Sequence, residues 1–194
     1  MNDTDKITIL YTARAKFDTS YGDAWTAYIN WARLSQLTEL VSTDQGLNEV
    51  LVEGDRNSEV FWHYAVLTDC YQTGFFKSVD FVLSNMQQND TFNLLAVSIN
   101  PDVNCDLIRI QDYEFLGYDL LDQYFDTSAL TNCGGFDEVF LPSDLNHFGL
   151  IDKYEKAIDI NKRLLEKYPD EEHADTNIIA IWRHKTIGVQ RNIN

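Results

Sequence analysis

The chain reads as one α+β domain, a largely antiparallel central sheet with about three helices packed against it, and three observations lead there. Its 194 residues, 44% apolar and 13% aromatic, can bury a sizeable core without a second domain. Apolar residues recur at period two in some stretches and at three- and four-residue spacing in others, in the order β-α-β-β-α-β-β-β-α-β. Strand candidates follow one another across short turns, as antiparallel neighbours do, and the helices are too few for a parallel βαβ sheet. The domain is expected to span residues 1–194, with short flexible termini at about 1–5 and 186–194.

Lys6 to Thr12 alternates apolar and polar residues and predicts the first strand. Ser20 with Asp23 resembles a capping box, and Trp25, Tyr28, Trp31, Leu34, Leu37 and Val41 then mark a helix whose aromatic stripe belongs to the core. Asn48 to Glu53 and Glu59 to Leu67 read as a hairpin joined by Gly54-Asp-Arg-Asn-Ser58. The second of these is apolar at nearly every position, which predicts a strand covered on both faces with His63 as a hydrogen-bonded core residue. Thr68 or Asp69 then starts a helix lined by Phe75, Val79, Val82 and Met86.

Phe92 to Ile99 is a buried strand closed by Asn100-Pro101, and Leu107 to Ile110 with Glu114 to Leu121 reads as a further pair. From Asp126 to Phe148 no period survives, and a long irregular stretch in a small domain is the first place to look for a site. Asp152 and Glu155 open the last helix, with Ile151, Tyr154, Ile158, Leu165 and Tyr168 on one face and Pro169 as its stop. Ile178 to Trp182 is a compact apolar run suited to the sheet centre.

Charge restricts function more than any motif does. Thirty-one acidic residues against fifteen Lys and Arg give a net charge of -16, which disfavours nucleic acid and anionic membrane and favours basic protein surfaces. Disordered acidic chains are poor in aromatics, whereas this one has four Trp, ten Tyr and eleven Phe. The first residues lack the basic start and apolar run of a secretory signal, and no apolar stretch reaches the roughly 18–20 residues that span a bilayer, so a cytoplasmic location is expected. Cys70, Cys105 and Cys133 form no CxxC pair and read as free thiols. Neither a Walker A motif nor GxGxxG is present, and no cofactor is expected.

One constellation could carry chemistry. Cys133, in the turn Asn132-Cys133-Gly134-Gly135, could be deprotonated by His173 with Asp175 or Asn177 orienting the imidazole. Acidic neighbours oppose that activation by favouring the neutral thiol. Glu171, Glu172, His173 and Asp175 are crowded and His184 lies a strand away, yet no metal-ligand spacing links them and a solvated loop explains them better. The leading expectation is therefore a small inhibitor or immunity-type protein that neutralises a basic, possibly nucleic-acid-processing, partner. Its carboxylates would come from Asp119, Asp122, Asp126, Asp137, Glu138, Asp144, Asp170, Glu171, Glu172 and Asp175, gathered on one face by the C-terminal half. The alternatives are a cysteine- or carboxylate-dependent enzyme centred on the Cys133 loop, and a structural or assembly subunit.

Overall fold

The computed structural model of the chain describes residues 7–16, 27, 39–68, 72–89, 91–131, 136 and 138–188. Within them lie strands β1 (Leu10–Ala15), β2 (Ala65–Leu67), β3 (Gln72–Phe76), β4 (Phe92–Ile99), β5 (Tyr113–Asp122) and β6 (Thr176–His184). Three helices accompany them, α1 (Glu59–Tyr64), α2 (Val79–Asn85) and α3 (Tyr154–Lys167). The strands form one sheet in the order β2-β3-β1-β4-β6-β5, and every pairing is antiparallel. This is the single α+β domain that the apolar pattern predicts. Among the described residues no helix is long and apolar enough to cross a membrane.

Successive strand side chains point to opposite faces, so the register sorts the core. Ala13 stands opposite Leu94, Ala96 opposite Trp182, and Tyr118 opposite Ala180. These side chains meet Phe61 of α1, Phe81 and Val82 of α2, and Ala157, Ile160 and Leu164 of α3. On the other face Leu10, Leu95, Val97, Ile179 and Ile181 pack against Val41, Phe125 and Leu150, which come from irregular segments. Helices cover one face and loops the other.

The last strand sits where the sequence places it, flanked by β4 and β5, and Phe92–Ile99 forms the expected buried strand. Glu59 to Leu67 does not form a central strand. Ser58 accepts a hydrogen bond from the Val60 amide and starts a six-residue helix, leaving Val60 and Trp62 59% and 41% exposed and only three residues, β2, at the sheet edge. His63 is accordingly on the surface. The run from Phe75 to Met86 divides: Phe75 belongs to β3, and the helix begins only after Ser78, whose hydroxyl accepts from the Phe81 amide. Asn48 to Glu53 makes two isolated bridges, Arg14 with Val50 and Val52 with Met86, and Leu107 to Ile110 is irregular, leaving a turn at its first residue.

The last helix starts at Tyr154 after Lys153, without a side-chain cap, and buries Ala157, Ile160 and Leu164 while Ile158 and Leu165 stay largely exposed. The predicted stripe mixed its buried and solvent sides. Of the aromatic helix expected from Ser20 to Val41, residues 20–26 and 28–38 lie outside the described residues, and residues 39–44 are not helical. The expected flexible termini fall largely outside them as well.

β5 is a sheet edge, yet its outer side is closed. Tyr118 exchanges backbone hydrogen bonds with Ile151, and Leu120 O and the Asp122 amide pair with Ala129 and Thr127. Gly117 makes this approach possible: its φ is +142°, and a Cβ there would lie 2.8 Å from Ile151 O. The irregular stretch after β5 is thereby folded back along that strand.

An ion-pair group ties the start of the 39–48 segment to the sheet. Glu39 meets Lys16 at 2.9 Å and Arg183 at 2.5 Å, and Arg183 lies over the Phe148 ring while bonding Glu114. Burial pushes the Glu39 carboxyl upward, but Lys16 and Arg183 outweigh it and hold it below the ordinary range. Glu39 thus contributes stability that is present above the usual glutamate pKa and lost as pH falls through its lowered value. Glu39→Gln is expected to flatten the drop in thermal midpoint between about pH 5 and pH 3, a change that melting curves over that range would measure.

Candidate functional site

Two groups of carboxylates meet at the C-terminal end of β5, one wholly inside the protein and one opening to solvent. The inner group lies on the loop-covered face. Arg14 and Asp119 are fully buried, the first opposite Asn93 in the sheet and the second opposite Ile179. Asp119 Oδ2 accepts from the Ser42 hydroxyl at 3.0 Å and from the Thr43 amide and hydroxyl at 2.7 Å each. Its Oδ1 accepts from the Leu120 amide at 2.9 Å and from the Ser128 hydroxyl. Asp44 accepts from the amides of Gly46 and Ser128 and from the Thr131 hydroxyl. The 42–48 and 126–131 segments are stitched together through carboxylates.

Arg14 supplies the compensating charge without touching either carboxylate. Its Nη1 donates to Thr43 O at 2.9 Å and Asn48 O at 3.1 Å, while Nε and Nη2 have no hydrogen-bond partner among the described residues. Burial pulls the guanidinium down to about 10, opposed by Asp119, Asp44 and Asp126, so it remains charged at neutral pH. Asp44 is raised by burial, in part offset by its bonds to Ser128 and Thr131. A charge held by desolvated partners in this way is structural. Asp119 is wholly shielded from solvent and Asp44 nearly so.

The outer group lines a cleft of about 510 Å³. Asp122 forms its inner wall, with Oδ1 accepting from the Asp126 amide at 3.0 Å and Oδ2 2.8 Å from His173 Nδ1. This carboxylate fixes the imidazole ring, and the opposite nitrogen, Nε2, lies 3.4 Å from Glu172 Oε1. Asp126, Glu172, Tyr124, Gln45 and Gln72 complete the lining. Among the described residues no Lys or Arg lines it, so the cleft concentrates negative potential at one mouth.

The expected site residues separate sharply. Asp119 and Asp122 are not partner-facing carboxylates: both are completely buried, held by donors of neighbouring segments. Glu138 is bound to Lys167 and Asp144 to Lys156 at 2.7 Å, so these two surface charges are neutralised within the chain. Asp126 and Glu172 line the cleft, Asp170, Glu171 and Asp175 are exposed nearby in sequence, and Asp137 lies outside the described residues. The single acidic face expected from the C-terminal half is thus divided among a buried knot, internal ion pairs and a cleft.

Cys133, with residues 132–135, lies outside the described residues. The orienting partner of His173 is Asp122, not Asp175 or Asn177. Asp175 is exposed, and Asn177 instead donates to Asp122 O and accepts from Asn100 Nδ2. Cys105 is no nucleophile: it is buried, and burial with Asp106 and Asp102 nearby pushes its thiol up to about 12. In native protein at pH 7.5, Cys105 is expected to stay unmodified by iodoacetamide and to react only after denaturation, as peptide mass mapping would show.

Comparison of the chain with protein families, curated proteins and solved structures finds no match to any of them. Its function is read from the geometry above.

Proposed function

We propose that the protein binds and neutralises a basic protein partner, as an inhibitor or immunity-type protein, through the cleft walled by Asp126 and Glu172. The single observation that carries this reading is a cleft in which the exposed carboxylates Asp126 and Glu172 stand with no Lys or Arg among the described lining residues, in a chain of net charge -16. Opposite charges steer association, and an ammonium or guanidinium group entering the cleft meets carboxylates instead of an internal counter-ion. Tyr124 adds an aromatic wall of the kind that anchors interfaces. The same field argues against direct binding of nucleic acid.

The test is affinity capture of partners followed by salt titration. A basic partner whose complex weakens by about tenfold between low and high ionic strength supports the reading. Capture of no basic partner, or a complex indifferent to salt, contradicts it.

A second reading rests on the His173–Asp122 pair, since a carboxylate-oriented imidazole beside a cleft is one half of a nucleophile-activating arrangement. A cysteine-dependent enzyme using Cys133 requires that thiol to alkylate far faster than Cys105 at neutral pH, and to slow in His173→Gln. Equal, sluggish thiols remove this reading.

A further inference from the structure

Both ring nitrogens of His173 face carboxylate oxygens, Nδ1 at 2.8 Å from Asp122 Oδ2 and Nε2 at 3.4 Å from Glu172 Oε1. The two carboxylates differ in setting. Asp122 is completely buried at the end of β5, with its Oδ1 accepting from the Asp126 amide, whereas Glu172 is exposed. An ionised carboxylate only accepts, so at 2.8 Å Nδ1 must meet Asp122 with its own hydrogen. Nδ1 therefore keeps that hydrogen in the neutral ring as well as in the charged one. The proton that this imidazole gains and loses belongs to Nε2, the nitrogen on the side of Glu172. Around the ring stand Asp122, Asp126 and Tyr124 from the end of β5 and the turn after it, and Glu172 from its own loop. Gln45 and Gln72 on the remaining walls are neutral, so among the described lining residues His173 alone can carry positive charge.

We propose that His173 gates the acidic cleft by pH. Protonated at Nε2, it is an internal counter-ion that competes with a basic partner for Glu172; neutral, it leaves that carboxylate to the incoming cation. This regulation rests on the acidic-cleft reading and concerns the same site. Histidine is the side chain whose ordinary charge change falls between about pH 5 and pH 8, while lysine keeps its charge over that range and free carboxylates stay largely ionised. Affinity for a lysine-rich ligand should therefore rise with pH, and the rise should need the imidazole. The coupling is reciprocal, so a cation bound at Glu172 expels the Nε2 proton.

The experiment is fluorescence anisotropy of labelled heptalysine at about pH 5.5 and pH 7.5, at one low ionic strength where exposed charges are least screened. Nitrogen NMR of isotope-labelled histidine follows the ring itself. The unaltered chain is expected to bind the peptide at least about threefold more tightly at the higher pH, and His173→Gln, neutral throughout, to change by less than about 1.5-fold. In the NMR titration His173 should lose its proton from Nε2 and keep the one on Nδ1. At the higher pH, Asp126→Asn/Glu172→Gln should weaken the peptide at least about fivefold, and Asp152→Asn/Glu155→Gln, an equal charge change on exposed carboxylates elsewhere, less than about twofold. Melting curves establish that each variant folds; if His173→Gln does not, the titration of the unaltered ring decides. Equal affinity at the two pH values, an undiminished response in His173→Gln, or loss of the proton from Nδ1 overturns the gate and leaves the acidic-cleft reading standing. No binding at either pH, or equal losses with the two double variants, overturns that reading and the gate with it.

Discussion

Arg14→Met is expected to destabilise the protein by about 3–5 kcal/mol, the range for removing one member of a buried charge group while leaving the other uncompensated. Methionine fills much of the same volume, so the loss is chiefly electrostatic and not a cavity. Arg14 is fully buried, its two Nη1 bonds hold Thr43 O and Asn48 O, and its charge faces Asp119, Asp44 and Asp126 across the covering segment. Without it, Asp44, already raised by burial, loses the positive charge to which it is coupled. The sign of the pH dependence follows: a carboxylate with a raised pKa favours the fold while protonated and loses that contribution as pH rises through its value. The penalty should therefore be smaller near pH 4 than at pH 7. Urea unfolding at both pH values measures it through the midpoint at constant slope, and a cost below about 1 kcal/mol at pH 7 would mean that Arg14 does not balance the inner carboxylates.

Asp119→Ala is expected to cost as much or more. Five donors converge on that carboxylate, from Ser42, Thr43 twice, Leu120 and Ser128, and all of these residues except Thr43 would be left with a buried group lacking its acceptor. Thr43 would lose two. At about 1–3 kcal/mol for each unsatisfied buried donor, partial relaxation still leaves a loss near 4 kcal/mol. If the alanine variant does not accumulate as folded protein, Asp119→Asn keeps the volume and one acceptor oxygen and should fall between the two. Amide hydrogen exchange gives the local readout: Thr43 should lose protection before the strands do, because among the described residues its amide bonds this side chain alone. Retained protection at Thr43 in a folded variant would show that the 42–48 segment is held by other contacts.

How far the sequence reaches follows from which physical signal each element carries. Phe92–Ile99 and Thr176–His184 are long apolar runs with clear ends, and both appear as central strands. Glu59 to Leu67 is equally apolar but lies at the sheet margin, where a serine cap and solvent on one side let a helical turn win over strand pairing. Local pattern cannot report that position. The site shows the same division. Asp126, Glu172 and His173 are legible as a charged loop around an irregular stretch, whereas the fate of Asp119 depends on the charge of Arg14, which lies on another strand of the sheet and 105 positions away in sequence. One clue was present: Asp119 alternates with Leu121 and Arg14 with Thr12 and Leu10, so each charge falls on an apolar face of a strand. Two such intrusions of opposite sign imply buried charges that offset each other inside the fold. Gln45, Gln72 and Tyr124 carried no signal, because only the folded loops bring them to the cleft.

The negative charge of the chain is of two kinds, structural inside and, as proposed, partner-directed at the cleft. The most direct test of this division is the dissociation constant of a captured basic partner for the unaltered protein, for Asp126→Lys/Glu172→Lys, and for the same charge reversal at Asp152 and Glu155. The prediction is a loss of at least about a hundredfold for the cleft pair, with a flattened salt dependence, and less than about threefold for the Asp152 and Glu155 pair. Equal losses for both pairs, or a partner that binds as well after reversal at the cleft, would contradict it.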